Sequence, residues 1–296
     1  MSTADTPAVA RHRVRHALRS AREAKQLTQS QVAEAMEWSL SKVMRIEKGD
    51  VNISLGDLRM LLSYLDVTEP TEVKRLMDDA RTARSERWSR DPRFREHLTP
   101  AVLQLMQFEQ EATAIRYYGS VIVPGLLQTT AYAEAIFRSY EDAFDDATIQ
   151  TRIEARQRRR EQVLYRPDPP DYFAILDESV LLREVGGPAV MGEQLYEILR
   201  VINETSIHVR VVPFAAAASI AILGPFTMLD LGSEHNAILY RESHVMDEIV
   251  HSRRTLDRHR TIFNQLWALA LDEKASERLI EDNARLLTER AREAGP

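Results

Sequence analysis

The stretch LTQSQVAEAMEWSLSKVMRIEKG, residues 27–49, decides the fold of the first part of the chain. It reads as two short helices joined by a tight turn. Thr28 is placed to cap the first helix, with Gln31 three residues on completing a capping box. Val32, Ala33 and Met36 are its apolar face. Ser39 caps the second helix, Val43 and Ile46 are its inner face, and Gly49 is its stop signal. The small Ala33 allows close approach, and Val43 and Ile46 lock one helix onto the other. Leu40, Ser41, Lys42, Met44, Arg45 and Lys48 are left on the opposite face and at the N-terminal end. A helix presented in this way fits the major groove of double-stranded DNA.

Working outward, Val14, Leu18 and Ala21 mark a preceding helix that ends near Gln26. Ser54 and Asp57 open a fourth, with Leu58, Leu61, Leu62 and Leu65 as its stripe. A fifth is predicted over 72–83, with Val73, Leu76, Met77 and Ala80 inward. The expected organisation is a disordered tail over 1–10 and a helical domain over 11–83. A linker over 84–107 follows, with Trp88 and Phe94 packing on one domain, and then a second domain over 108–296.

Charge supports this division. The 296 residues carry a net charge of −6. Residues 1–49 hold nine bases and five acids, for +4, leaving −10 elsewhere. The basic part is the part assigned to DNA, and the acidic remainder limits indiscriminate binding to polyanions. No apolar run approaches the ~18 residues of a membrane helix, and no secretory signal opens the chain. The absence of cysteine excludes disulfides, cysteine zinc sites and thiol nucleophiles. These features suggest the cytoplasm, and no membrane partner is expected.

Residues 27–49 strongly resemble the XRE family of regulators, relatives of the phage lambda and 434 repressors. Thr28, Gln29, Ala33, Ser39, Val43, Arg45, Ile46, Glu47 and Gly49 fit the family pattern. The resemblance implies an all-α lambda-repressor-like domain and a phosphate contact from Gln29. It also implies base-facing positions at Leu40, Ser41 and Arg45, and Lys42 and Lys48 look placed for backbone or flanking contacts. Arg45 is the first choice for readout, since a guanidinium matches O6 and N7 of guanine bidentately. Arg11 and Arg13 stand ready to reach phosphate or a minor groove. Glu47 reads as structural, paired with a nearby base. The chain departs from the pattern at the turn, where the usual glycine is Glu37. A left-handed backbone there costs a side chain roughly 1 kcal/mol.

The second domain reads as mixed α/β with long C-terminal helices. Helices are expected over 101–111, 128–140, 147–165, 189–203, 252–271 and 275–292. Extended segments are expected over 115–123, 172–176, 207–212, 226–231 and 237–240. The strand, helix, strand order predicts a parallel crossover with the last two strands as a hairpin. Segments 124–133, 152–164, 176–182, 185–188, 209–214 and 224–228 resemble the C-terminal domain of WhiJ-like regulators of streptomycetes and other actinobacteria. That likeness implies an antitoxin-like transcriptional regulator, often encoded beside a small partner protein and thought to sense an effector.

No catalytic constellation stands out, so no enzyme activity and no cofactor are expected. Asp177 and Glu178 at a strand end read better as a helix cap than as a site. His235 and His244 near Asp230, Glu234 and Asp247 match no ligand rhythm, and no metal is expected. The Gly186-Gly187-Pro188 run reads as a turn rather than an anion loop. Arg116, Tyr117 and Tyr118 are candidates to line a pocket, although aromatics in a strand are more often core. Arg152, Arg156, Arg158, Arg159 and Arg160, interspersed with Glu154 and Glu161, read as a solvated or interface face. The expected protein is a homodimeric, sequence-specific regulator sensing a small-molecule ligand or a small partner protein. Two alternatives are an antitoxin that uses DNA binding for autoregulation and a DNA-addressed enzyme.

Overall fold

The structure is a computed structural model describing residues 7–49, 51–83, 92–140, 144–216, 224–232, 236–242 and 247–293. Trp88, Glu234, His235 and His244 lie outside them. The chain divides into two compact units, residues 1–91 and 92–296.

Among the described residues, the first unit has five helices: α1 Pro7–Ala24, α2 Gln29–Ala35, α3 Leu40–Lys48, α4 Leu55–Tyr64 and α5 Pro70–Thr82. Every apolar position read from helical periodicity joins one core, from Val14 and Leu18 through Val43 and Ile46 to Leu76 and Met77. The caps are local and explicit. Thr28 Oγ1 accepts from the Gln31 amide at 3.2 Å, and Gln31 Oε1 accepts from the Thr28 amide at 2.8 Å. Ser54 Oγ likewise accepts from Asp57 N at 3.0 Å.

Three helices end on a left-handed residue that is not glycine: Gln26, Glu37 and Asp66, with φ of 55°, 55° and 58°. Each forms the paired backbone bonds that close a helix C-terminus. At Glu37 these run from Glu37 N to Glu34 O, 3.1 Å, and from Trp38 N to Ala33 O, 2.8 Å. The turn therefore keeps its geometry despite the missing glycine. Glu37 is exposed, so nothing but the backbone opposes a change there. Replacing Glu37 with Gly is expected to stabilise this unit by up to about 1 kcal/mol. A thermal melt of the full chain should show the rise, and a lowered midpoint would contradict the strain.

Two boundaries move. Helix α1 spans Pro7–Ala24, with Val9 and Ala10 buried, so helical residues lie inside the stretch 1–10 expected to be a disordered tail. Two helices fall where a linker was expected and belong to the second unit: α6 Pro92–His97 and the start of α7 Pro100–Glu111. Buried Phe94 anchors α6 there.

The second unit is built on a six-stranded sheet in the order β3-β2-β1-β4-β5-β6. Its strands are β1 Ala114–Gly119, β2 Asp171–Asp177, β3 Ile207–Val212, β4 Phe226–Asp230, β5 Ala237–Arg241 and β6 Glu248–Val250. The first three are parallel, and the β4–β5 hairpin continues the sheet antiparallel, as predicted. Strand β6 has only three residues and no pattern of its own. Around the sheet lie α8 Thr130–Arg138, α9 Asp146–Leu164, α10 Glu178–Leu182, α11 Gly187–Glu204, α12 Arg253–Leu269 and α13 Glu273–Glu293.

The period of two separates the sheet faces. Tyr118, Ile175, Phe226, Met228 and Leu239 pack with Phe263 and Leu266 of α12. Ile115, Tyr117, Tyr172, Thr227 and Tyr240 line a cavity on the other face. Of the three candidate pocket residues, only Tyr117 lines that cavity. Arg116 instead pairs with buried Asp230, which Arg260 also holds at 2.6 Å.

Candidate nucleic-acid interface

Helix α3 is held from three sides. Val43 and Ile46 are buried against α1, α2 and α4. At its start, Ser39 Oγ accepts from Lys42 N at 3.2 Å. At its end, Gly49 has φ 84°, and a Cβ there would stand 2.8 Å from Arg15. Arg15 reaches across from α1 to donate to the Lys48 carbonyl at 2.9 Å. A cation at a helix C-terminus satisfies an orphan carbonyl and complements the helix dipole.

The third hold is Glu47, whose side chain is 8% exposed. Its carboxylate accepts from Arg22 Nε at 2.6 Å and Nη2 at 3.0 Å, and from Gln29 Nε2 at 2.8 Å. Arg22 also donates to the Leu27 carbonyl at 2.8 Å. The hydrogen bonds to Glu47 raise the Arg22 guanidinium above its ordinary range, against the opposing effect of burial. One carboxylate thus ties α1, the start of α2 and α3 together. Glu47 is structural, as the sequence suggests. Gln29 stands at the start of α2, with its amide engaged on Glu47.

The predicted face of α3 divides into engaged and open residues. Ser39 serves as the cap. Lys42 pairs with Asp57 at 3.0 Å and lies 3.8 Å over the Trp38 ring, so its charge is already committed within the unit. Leu40 is 44% exposed and Met44 37%. Ser41, Arg45 and Lys48 are exposed, and among the described residues the Arg45 and Lys48 side chains make no ion pair. The structure brings Leu40, Ser41, Arg45 and Lys48 to one outward surface.

Arg11 and Arg13 do not stand free for phosphate. Arg13 grips Asp79 with two bonds of 3.0 and 2.7 Å, and Arg11 donates to Asn52 at 2.7 Å. Both partners lie far away in sequence, which is why charge alone suggested a solvent-facing role. The functions of Arg15 and Arg22 were missed for the same reason.

In the second unit, Asp177 caps α10 by accepting from Ser179 N at 2.9 Å, and Glu178 accepts from Phe214 N at 2.7 Å. Gly186 and Gly187 take φ of 72° and 87° at the entrance to α11, as a turn requires. The arginines of α9 correct the reading of a solvated face. Arg159 makes two bonds to buried Glu109, at 2.8 and 2.7 Å, and Arg160 pairs with Glu197. Arg158 pairs with Glu154 at 2.6 Å within the helix. No group of three or more potential metal ligands occurs among the described residues, and no described helix is long and apolar enough to cross a membrane.

Residues 13–76 match the model of a helix-turn-helix domain. Residues 102–282 match that of a domain of unknown function, DUF5753. No curated protein and no solved structure matches the chain. The second match spans more than half of the residues, and the chain belongs to the DUF5753 family.

Proposed function

We propose that the protein is a sequence-specific transcriptional regulator of the XRE class. On this reading it binds double-stranded DNA as a homodimer through α3, and its second unit senses a small molecule without catalysing a reaction. The observation that carries the DNA reading is the outward surface of Leu40, Ser41, Arg45 and Lys48. It sits on a helix whose inner face and both ends are fixed. Fixed presentation matters because base readout requires a guanidinium held in register with a base edge. The likeness to WhiJ-like regulators supports an effector-responsive second unit. A cavity of about 260 Å³ in that unit favours a small molecule over a small protein.

Replacing Arg45 with Ala should weaken specific binding by roughly 1–3 kcal/mol. Replacing Lys48 with Ala should weaken all sequences alike and reduce the salt slope by about one charge. Fluorescence anisotropy with specific and unrelated duplexes over a salt series separates the two effects. Equal affinity of wild type and the Arg45 variant for the specific duplex would overturn the assignment.

A further inference from the structure

The cavity on the α9 side of the sheet has a volume of about 260 Å³. A cavity of ~150 Å³ is enough for benzene, so this one admits a ring with a small polar head. Phe137, Phe144, Ile136, Val102 and Leu105 supply apolar wall. Three guanidiniums enter from one face of α9, at Arg152, Arg156 and Arg159, the spacing of successive helical turns.

Their situations differ. Arg159 is neutralised by Glu109. Arg152 donates to the His97 carbonyl at 3.1 Å and stacks 4.1 Å over the Phe144 ring. Among the described residues, the direct partners of Arg156 are neutral: the Gln128 side-chain oxygen and the Phe137 ring at 4.4 Å. Among the described residues, no carboxylate lies within ion-pair distance of it. Gln128 is itself pinned by a 2.6 Å bond to the Val123 carbonyl. Burial lowers the Arg156 guanidinium to about 10, with Glu242 pulling it up and Arg159 and Arg152 pushing it down. It therefore stays charged at neutral pH. A buried guanidinium with a carboxylate only at longer range, at Glu242, and none in direct contact gains from a ligand that pairs with it. Glu242 and Asp247 also line the cavity, and they disfavour a ligand with a second anionic end.

We infer that this cavity binds a small organic monocarboxylate with an apolar or aromatic body, its carboxylate held by Arg156. The guanidinium fork matches a carboxylate bidentately, and the rings of Phe137 and Phe144 receive the body. The inference rests on reading the second unit as a small-molecule sensor and names the class of molecule it takes.

The test uses the full-length protein with phenylacetate and its neutral isostere phenylacetamide, followed by calorimetry and saturation-transfer NMR. Phenylacetate should bind at least about tenfold tighter than the amide, since a charge-assisted bidentate contact is worth about that much or more. Arg156→Gln should erase the preference for the acid, and Arg156→Lys should keep part of it. Equal binding of acid and amide, no binding of either, or an unchanged preference in Arg156→Gln would each overturn the inference. If Arg156→Gln fails to fold, the acid–amide comparison in the wild type and Arg156→Lys decides the matter. DNA affinity read in the same samples is a separate result. Phenylacetate bound through Arg156 with no change in DNA affinity would support the site and overturn its role as an effector site.

Discussion

Replacing Glu47 with Ala is expected to destabilise the N-terminal unit by about 3 kcal/mol, the lower end of the cost of removing one partner of a buried pair, because Arg22 keeps a 3.6 Å pairing with Glu23. Arg22 is 11% exposed and would lose both its bonds to the carboxylate. Gln29 would lose its acceptor at the same stroke. Small domains have about 5–15 kcal/mol in all, so the variant would be close to unfolding at moderate temperature. The melting midpoint of this unit should fall on the order of 20 °C. Glu47→Gln keeps an oxygen for Arg22 and should cost less. Since the same carboxylate fixes α3 against α1 and α2, DNA affinity should fall even where the variant remains folded. Circular dichroism melts beside binding curves would show both effects. A Glu47→Ala protein that melts like the wild type would mean the network does not hold α3.

Removing Glu109 should have a comparable effect on the second unit. Its side chain is 2% exposed, and that of Arg159 is 14% exposed. Burial alone would lower the Arg159 guanidinium, but the charge and hydrogen bonds of Glu109 outweigh it and leave the guanidinium raised. Glu109→Ala therefore exposes the full desolvation cost of Arg159, about 3–5 kcal/mol. Glu109→Leu combined with Arg159→Met removes both charges and should recover most of that loss, because a buried pair replaced by apolar groups is often neutral. Denaturant unfolding of the single and double variants measures the difference. A double variant as unstable as Glu109→Ala would show that shape, rather than the stranded charge, is what the site requires.

The features that were legible in the sequence are those encoded locally. The capping box at Thr28 and Gln31, the caps at Ser39 and Ser54 and the stop at Gly49 each involve residues a few positions apart. The apolar stripes of the five helices obey a fixed period, so the core of the first unit followed from them. Glu37 adopts a strained backbone for a closure that neighbouring carbonyls make worthwhile. The α3 face was legible in the same way, since inward Val43 and Ile46 leave Arg45 outward.

The features that escaped depend on partners distant in the chain. Arg13 meets Asp79, Arg22 meets Glu47, Arg15 meets the end of α3, and Arg159 meets Glu109. An arginine-rich helix interleaved with acids looks solvated when only its own sequence is considered. The cavity beneath Arg156 is assembled from a sheet and helices spread over more than a hundred residues, and no local pattern announces it. Helix α6 was missed because its six residues carry little apolar periodicity beyond Phe94.

The central claim is that the outward surface of α3, with Arg45 at its centre, reads bases in a major groove. Selection from a random pool of duplexes, run in parallel with the wild type and Arg45→Ala, tests it most directly. The wild type should enrich paired half-sites about one helical turn apart, and the variant should lose preference at one position in each half-site while keeping the others. Identical enriched sequences from both proteins, or no enrichment by the wild type, would contradict it.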